Sequence, residues 1–180
     1  MHTPRLSENQ SAIPFDTHDY LGNRISLTQY RGKKIYLSFF RDVNCPFCNI
    51  RLNELIKKHE DFKKSGIEIL AFFGSTKDQI LEHAREEKAP FPVIPDSNLV
   101  IYGVYGVETS LKAKFRTIKT YKKVIEAIKS DYFNLKSFTE RNIVPADFLI
   151  DEKLIIERAH YGQDFADHIP TEEILNWTRS

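Results

Sequence analysis

Two nearly uninterrupted apolar runs, with a helical pattern between them, constrain the fold of this chain most strongly. Residues 35–40 read IYLSFF and residues 67–73 read IEILAFF, and both runs are rich in strand-forming residues. Runs of this kind are typical of strands that are covered on both faces of a sheet. Between them, apolar residues recur at steps of three and four, which is one face of a helix. The succession predicts a β-α-β unit at the centre of the domain.

Shorter signals extend this unit in both directions. From Ile13 onward, brief β-like pieces separated by glycines predict an N-terminal β extension. After the second run, Ser75 has the spacing of a capping box, and the helix that it begins is predicted to reach about Lys88. The prolines that follow leave room only for a short or edge strand in residues 91–94. A short helix is predicted over residues 99–105.

The C-terminal part of the chain predicts a hairpin and a closing helix. Residues 146–151 and 153–161 read as two strands joined by a tight turn, and residues 171–180 read as a helix after a proline. Residues 111–129 place apolar side chains on one stripe with lysines elsewhere, which predicts an amphipathic helix. This helix would lie in a helical insert that spans about residues 108–143.

These elements together predict one α/β domain with a central mixed sheet and helices on both faces. Apolar residues make up 41% of the chain and charged residues 28%, which is the composition of an ordinary globular protein. The domain is expected to cover residues 13–180. Residues 1–12 are polar and are expected to form a flexible N-terminus.

The charge of the chain gives no reason to expect a polyanionic partner. The formal net charge is +1 and the sequence pI is about 7.8, so neither nucleic acid nor a membrane is an expected partner. The lysine-rich face within residues 112–129 is read as a solvated helix surface, although it could dock an acidic partner or a nucleic acid phosphate. The first twelve residues lack the apolar segment of a secretory signal, and a cytoplasmic location is expected.

The only two cysteines form a C-x-x-C motif, Cys45-Pro-Phe-Cys48, where the first buried strand becomes a helix. In a reducing compartment this motif indicates redox or metal chemistry rather than a lasting structural disulfide. A helix N-terminus stabilises a thiolate through free backbone N–H groups and the helix dipole. We therefore expect Cys45 to be the exposed, attacking sulfur and Cys48 to be the resolving sulfur. Arg41 could lower the pKa of Cys45 further, or could point into solvent.

Other readings of the same residues stay open at this point. Two buried cysteines can serve as small apolar side chains. A zinc site would need two further ligands, and His160 and His168 lie outside the usual ligand spacing. Either histidine could carry protons near neutral pH, although a lone histidine is more often a surface or satisfied core residue.

Several stretches carry a resemblance to a known family. They are IPF at 13–15, LTQYRGK at 27–33, the YLSFF strand with its cysteines, FPVIPDSNLVIYGVYGV at 91–107 and VPADFLID at 144–151. This pattern resembles the AhpC/TSA family, a peroxiredoxin-like branch of the thioredoxin fold, over residues 13–178 without the insert. The segment FRDVNCPFC is similar to a subset of the family with a CPxC site. The resemblance implies a thioredoxin-like fold, with Pro145 as the cis-proline that faces the active cysteine.

The chain also departs from the family pattern at the site. Where peroxiredoxins carry a shielding proline and a peroxide-binding threonine before the active cysteine, this chain has Ser38 and Asp42. Pro145 stands about where the family has an arginine. An acidic Asp42 would raise the pKa of a nearby thiol and repel the charge that develops on a peroxide. These departures favour dithiol-disulfide exchange over fast peroxide reduction.

The sequence therefore predicts a thiol-dependent oxidoreductase that uses Cys45 and Cys48 to reduce disulfides or hydroperoxides. An external thiol donor of the thioredoxin or glutathione type would recycle it, and no bound cofactor or metal is expected. Pro145 and Arg41 complete the predicted catalytic site. A homodimer is left open. The alternative is a redox-inert binding module that uses the same fold as a scaffold.

Overall fold

The computed structural model describes residues 4–84, 88–108 and 142–177, and a five-stranded mixed sheet lies at their centre. The strands in chain order are β1 (Asp16–His18), β2 (Arg24–Ser26), β3 (Lys34–Phe40), β4 (Ile67–Phe73), β5 (Val93–Pro95), β6 (Ala146–Ile150) and β7 (Ile156–Tyr161). The first two form a separate antiparallel hairpin, and the other five have the order β5-β4-β3-β6-β7. β3 is parallel to β4 and antiparallel to β6. The predicted α/β class and mixed sheet are confirmed.

Short helices connect and cover these strands. They are α1 (Pro46–Lys57), α2 (His59–Lys64), α3 (Lys77–His83), α4 (Val100–Val104) and α5 (Thr171–Asn176), with a 3-10 turn at Leu27–Tyr30. The single helix predicted after the cysteines is wrong in one respect, because Lys58 breaks it into α1 and α2. The predicted capping box is shifted by one residue, since Thr76 and Gln79 form it. α3 ends at His83 rather than at Lys88.

The central strand is buried on both faces because its side chains alternate between two apolar clusters. Tyr36 and Phe40 belong to the cluster beneath α1 and α2, whereas Ile35, Leu37 and Phe39 belong to the cluster on the opposite face. All five side chains are fully buried. This two-sided burial explains why the strand reads as a continuous apolar run.

The carboxyl ends of β3 and β4 are tied together by one tyrosine. The hydroxyl of Tyr102, on α4, lies within hydrogen-bond distance of the backbone carbonyls of Phe40 and Phe72. Asp96 accepts hydrogen bonds from the first backbone N–H groups of α4, including those of Val100 and Ile101, and so caps that helix. The strand end that leads into the cysteines is thus anchored from the opposite face of the sheet.

Residues 9–12 form backbone hydrogen bonds with the C-terminal hairpin. The backbone N–H of Asn9 donates to the carbonyl of Ile156 at 2.8 Å, and that of Ala12 donates to Leu154 at 2.8 Å. Residues 9–12 thus pair with the chain at the start of β7, and the flexible N-terminus stays a prediction. These hydrogen bonds satisfy backbone groups at that end of the sheet.

The predicted hairpin is confirmed as β6 paired with β7, and its turn is held by the Asp151 carboxylate, which accepts from two backbone N–H groups. The helical insert predicted over residues 108–143, with its lysine-rich face, lies almost wholly outside the described residues. At its edges, the backbone N–H of Val144 donates to the carbonyl of Glu108 at 3.1 Å. Within the described ranges, none of the helices is both long and apolar enough to span a bilayer.

Candidate active site

The two thiols lie at the first turn of α1, where the chain leaves the carboxyl end of β3. Cys45 is the N-cap residue, Pro46 is the first helical residue, and Cys48 lies one turn further along. Both cysteines are free thiols. Cys45 is 0% exposed and Cys48 is 1% exposed, so the expectation of an exposed Cys45 is wrong for this conformation. Phe47 between them is also buried, which draws the whole turn into the core.

The two thiols differ in acidity because of where each lies. The pKa of Cys45 is lowered, first by a hydrogen bond from the Cys48 thiol and then by the charge of Arg41, while burial and Asp42 oppose the shift. The pKa of Cys48 is raised well above its usual value, chiefly by burial and then by its interaction with Cys45. The pair therefore favours a thiolate on Cys45 and a protonated thiol on Cys48.

Arg41 faces the cysteines rather than solvent. Its side chain is 1% exposed, its Nη1 lies 4.0 Å from the Cys45 Sγ, and its Nε lies 3.2 Å from the Asp42 carboxylate. Its guanidinium also packs over the ring of Phe165 at 4.5 Å from the ring centre. The positive charge of Arg41 thus lies between the Asp42 carboxylate and the Cys45 sulfur. Its ion pair with Asp42 offsets part of the repulsion between that carboxylate and a Cys45 thiolate.

The loop between β3 and α1 is fixed by polar contacts from three directions. The backbone N–H of Val43 donates to the Ser75 hydroxyl at 3.1 Å, and the Asn49 amide donates to the Val43 carbonyl at 3.0 Å. Gly74 approaches so closely that a Cβ on it would lie 2.6 Å from the Arg41 carbonyl oxygen. A glycine at this position lets the two loops touch, and it keeps Arg41 in place.

Pro145 lies at the start of β6 and is buried, but its peptide bond with Val144 is trans. The cis geometry implied by the family resemblance is therefore absent at this bond. The Pro145 carbonyl accepts a hydrogen bond from the backbone N–H of Gly162 at 2.9 Å, and its ring would touch a Cβ on that glycine. The described contacts of Pro145 place it against the end of β7.

A buried charged cluster next to this site was missed by sequence reasoning. Asp147 on β6 accepts hydrogen bonds from the Ser38 hydroxyl at 2.7 Å and the Tyr36 hydroxyl at 3.0 Å, and His168 Nδ1 lies 3.0 Å away. Arg51 on α1 in turn donates to the Tyr36 hydroxyl at 3.1 Å. One signal was available in the sequence: an aspartate inside the apolar strand ADFLI needs buried partners.

Among the described residues, the histidines lie apart from the thiols as far as a metal site is concerned. Within the part of the chain that the structure describes, no three or more His, Cys, Asp or Glu side chains come together in a way that could hold a metal ion. His160 instead pairs with the Asp167 carboxylate at 3.1 Å, and its side chain is 27% exposed.

Comparison with known proteins finds relatives of similar sequence, and among them are proteins named peroxiredoxin Q. Peroxiredoxin Q of Sedum lineare is 24% identical over 117 residues, which are 65% of this chain and 63% of that protein. Peroxiredoxin Q of Populus jackii is 24% identical over 133 residues, which are 72% of this chain and 62% of that protein. The chain thus spans somewhat less than two thirds of the length of these relatives.

Solved structures share the fold at low sequence identity. The peroxidoxin BcpB of Mycobacterium tuberculosis superposes with a TM-score of 0.71 at 12% identity and covers 97% of both chains. A mutant of peroxiredoxin 6 from Arenicola marina superposes with a TM-score of 0.72 at 16% identity, over 97% of this chain and 73% of that one. The predicted thioredoxin-like fold is confirmed. The model of the AhpC/TSA family matches residues 9–159, and this protein therefore belongs to the AhpC/TSA family.

Proposed function

We propose that this protein is a thiol-dependent oxidoreductase that reduces hydroperoxides or disulfides with the dithiol Cys45 and Cys48. One observation carries the proposal: two free thiols lie one helical turn apart, and their pKa values are shifted in opposite directions. The sulfur with the lowered pKa is the better nucleophile at neutral pH, and its partner is held as a protonated thiol within reach.

The proposed reaction begins with attack by the Cys45 thiolate. With a hydroperoxide, the thiolate attacks the terminal oxygen and breaks the O–O bond, which gives a Cys45 sulfenic acid and an alcohol or water. With a disulfide, the attack gives a mixed disulfide and releases one thiol. Cys48 then attacks the Cys45 sulfur, and the Cys45-Cys48 disulfide forms as water or the second thiol leaves. Two electrons from an external thiol donor restore the dithiol.

Arg41 has a defined task in this scheme. Its guanidinium, 4.0 Å from the Cys45 Sγ, favours the thiolate and would stabilise negative charge on an incoming oxygen or sulfur. The negative charge of Asp42 disfavours a peroxide substrate, whereas the relatives are named peroxiredoxins, which favours one. Ser38 is already bound to Asp147, so it contributes little to a substrate. We therefore keep both substrate classes in the proposal, and the assay below separates them.

The test compares wild type with Cys45→Ser and Cys48→Ser in two assays, hydrogen peroxide consumption and insulin reduction, each with thioredoxin or glutathione as donor. Cys45→Ser should lose all activity in whichever assay the wild type passes. Cys48→Ser should still be oxidised once, and its sulfenic acid or mixed disulfide should accumulate. Mass spectrometry of the oxidised wild type should show the two-hydrogen mass loss of an internal disulfide.

The opposite result would favour a redox-inert binding module, and the burial of both thiols is the observation on its side. If neither peroxide nor oxidised glutathione ever produces the two-hydrogen loss, the oxidoreductase proposal fails. Equal activity in the Cys45 variant would reject the assignment of the attacking sulfur. The cytoplasmic location, the CPxC subset and a homodimer stay predictions that these assays leave untouched.

A further inference from the structure

A buried carboxylate and a histidine form a pair that the reaction described so far does not use. The Asp147 side chain is fully buried and that of His168 is 5% exposed. Nδ1 of the imidazole lies 3.0 Å from one carboxylate oxygen and 3.2 Å from the other, and the backbone N–H of Ile169 donates to the second oxygen at 2.7 Å. The ring of His168 is thus held in one orientation.

The charge of Asp147 fixes which imidazole nitrogen carries the proton. Burial opposes its ionisation, but His168, Arg51 and the Ser38 hydroxyl together hold the pKa of Asp147 at about 2. An ionised carboxylate can only accept hydrogen bonds, so Nδ1 of His168 must be the donor. In the neutral ring, Nε2 then carries the lone pair and is the basic atom.

The basic atom has been left without a partner. Nε2 of His168 is buried, and within the described ranges no hydrogen-bond donor or acceptor reaches it. Burying a polar atom in this state costs about 1–3 kcal/mol, so such atoms are rare in proteins and often have a redox or catalytic role. This nitrogen is oriented, desolvated and ready to accept a proton.

The packing of α1 on the sheet places Cys48 in the buried cluster of Phe40, the residue against which the His168 ring packs. Arg51 lies over Tyr36 of β3, with its guanidinium carbon 5.7 Å from the ring centre. Cys48 is three residues earlier on the same helix face, which is about one turn, or 5 Å, nearer the carboxyl end of β3. Phe40 lies at that end on the same face of the sheet, and its ring centre is 5.0 Å from that of His168. Cys48 and Phe40 belong to one buried cluster.

We propose that Nε2 of His168 accepts the thiol proton of Cys48 in the step that closes the disulfide, and that Asp147 is the positioning residue for this imidazole. The inference rests on the proposed function. Cys48 needs such a base, because burial keeps its pKa well above the usual value. No sulfur of the described residues lies within hydrogen-bond distance of Nε2 in this conformation, so the step includes a turn of the Cys48 side chain towards the ring. The proton then passes from sulfur to Nε2, and the new thiolate attacks the Cys45 sulfur. The leaving thiolate or hydroxide then takes the proton from the imidazolium.

Several charged and titratable groups surround the pair and will shape its pH dependence. From the sheet side, Asp147 and Tyr36 face it, and α1 contributes Arg51. The cysteine side contributes the two thiols and the ion pair of Arg41 with Asp42. Because the imidazole is the proposed proton acceptor among these groups, its loss should change the pH profile of disulfide closure.

The test follows one turnover of the reduced protein with hydrogen peroxide or a small disulfide, quenched in acid at intervals and analysed by mass. His168→Asn keeps an amide N–H near Nδ1 for Asp147 but has no basic nitrogen. It should form the Cys45 sulfenic acid or mixed disulfide at the wild-type rate and close the internal disulfide about 100-fold more slowly. Its closing rate should rise about tenfold per pH unit, as the Cys48 thiolate fraction does, whereas the wild-type rate should depend less steeply on pH.

His160→Asn is the matched control, since His160 also pairs with a carboxylate but lies 27% exposed. Its closing rate should equal that of the wild type. If the wild type never closes the disulfide, the proposed function fails. If the wild type closes it and His168→Asn closes it equally fast with the same pH profile, the role of His168 is refuted while the function stands. ¹⁵N NMR of wild-type His168 adds a check that needs no variant: a neutral ring protonated on Nε2 would overturn the proposal.

Discussion

The charge of Asp147 leads to a prediction about acid stability. The carboxylate is fully buried, and its pKa is about 2 against a reference value of 3.8. Its folded-state pKa therefore lies below its unfolded-state pKa. A group of this kind stabilises the fold at every pH above the unfolded pKa, and this contribution is lost as the pH falls through the folded pKa. Acidification from pH 6 to pH 2 should remove most of it.

The size of the effect follows from the two pKa values. The difference between 3.8 and about 2 is roughly 1.8 units, and each unit corresponds to about 1.4 kcal/mol. Ionised Asp147 therefore contributes about 2–3 kcal/mol near neutrality relative to its protonated form. Asp147→Asn should cost more than this at pH 6, about 3–5 kcal/mol, because it also leaves the positive charge of Arg51 and the Nδ1–H of His168 without their buried partner.

The measurement is urea unfolding of wild type and Asp147→Asn between pH 6 and pH 2, followed by circular dichroism. The difference in unfolding free energy between the two proteins should shrink by about 2 kcal/mol across this range, mostly below pH 4. Asp16→Asn is the control, because Asp16 also has a lowered pKa, caused first by its hydrogen bond from Arg24, but lies at the surface. Its effect should be small and should vanish in high salt, unlike that of Asp147.

One outcome would refute this reasoning. If the difference between wild type and Asp147→Asn is the same at pH 6 and pH 2, then Asp147 is not the ionised, stabilised carboxylate that the contacts describe. The tautomer assigned to His168 would then lose its basis as well. The pH dependence thus checks the electrostatic premise of the proton-transfer proposal without reference to any activity.

Three further predictions concern the frame around the thiols. Arg41→Met should raise the pKa of Cys45 and Asp42→Asn should lower it, as measured by ultraviolet thiolate absorbance in a Cys48→Ser background; shifts of the same sign in both would contradict the charges assigned to them. Gly74→Ala should destabilise the protein by about 1–3 kcal/mol in urea unfolding, because the new Cβ would clash with the Arg41 carbonyl. Gly103→Ala on α4 is the control: its Cβ would meet open space, so this change should be neutral or stabilising. Tyr102→Phe should cost about 1–3 kcal/mol, because the carbonyls of Phe40 and Phe72 lose a buried donor, and an unchanged unfolding midpoint would contradict that bridge.

The parts of the fold that could be predicted are those that depend on neighbours in the sequence. The apolar run at β3, the helix start at Pro46 and the tight turn at Asp151 each follow from a short pattern, and the structure has all three. The break at Lys58 was not visible, because the apolar periodicity continues through it into α2. Periodicity reports the buried face of a segment and is insensitive to a local change in its axis.

The parts of the site that were missed depend on contacts between distant residues. Asp147 meets Ser38 across 109 positions, and Arg51 meets the carbonyl of Ile169 across 118. Nothing local marks these partners, since each lies in a segment whose own pattern reads as an ordinary strand, helix or loop. The burial of Cys45 was missed for a similar reason: a helix N-terminus can face solvent or core, and distant packing decides between the two.

The enclosure of Cys45 has a kinetic consequence. An oxidant in solution cannot collide with a sulfur that has no accessible surface, so the protein must first open around it. As oxidant concentration rises, the observed rate should approach a ceiling equal to the opening rate. Oxidants of very different intrinsic reactivity would then share one maximal velocity and differ only in the concentration that reaches it. At saturating oxidant, the reaction rate would depend on how fast the protein opens around Cys45 and not on the reactivity of the bond that is attacked.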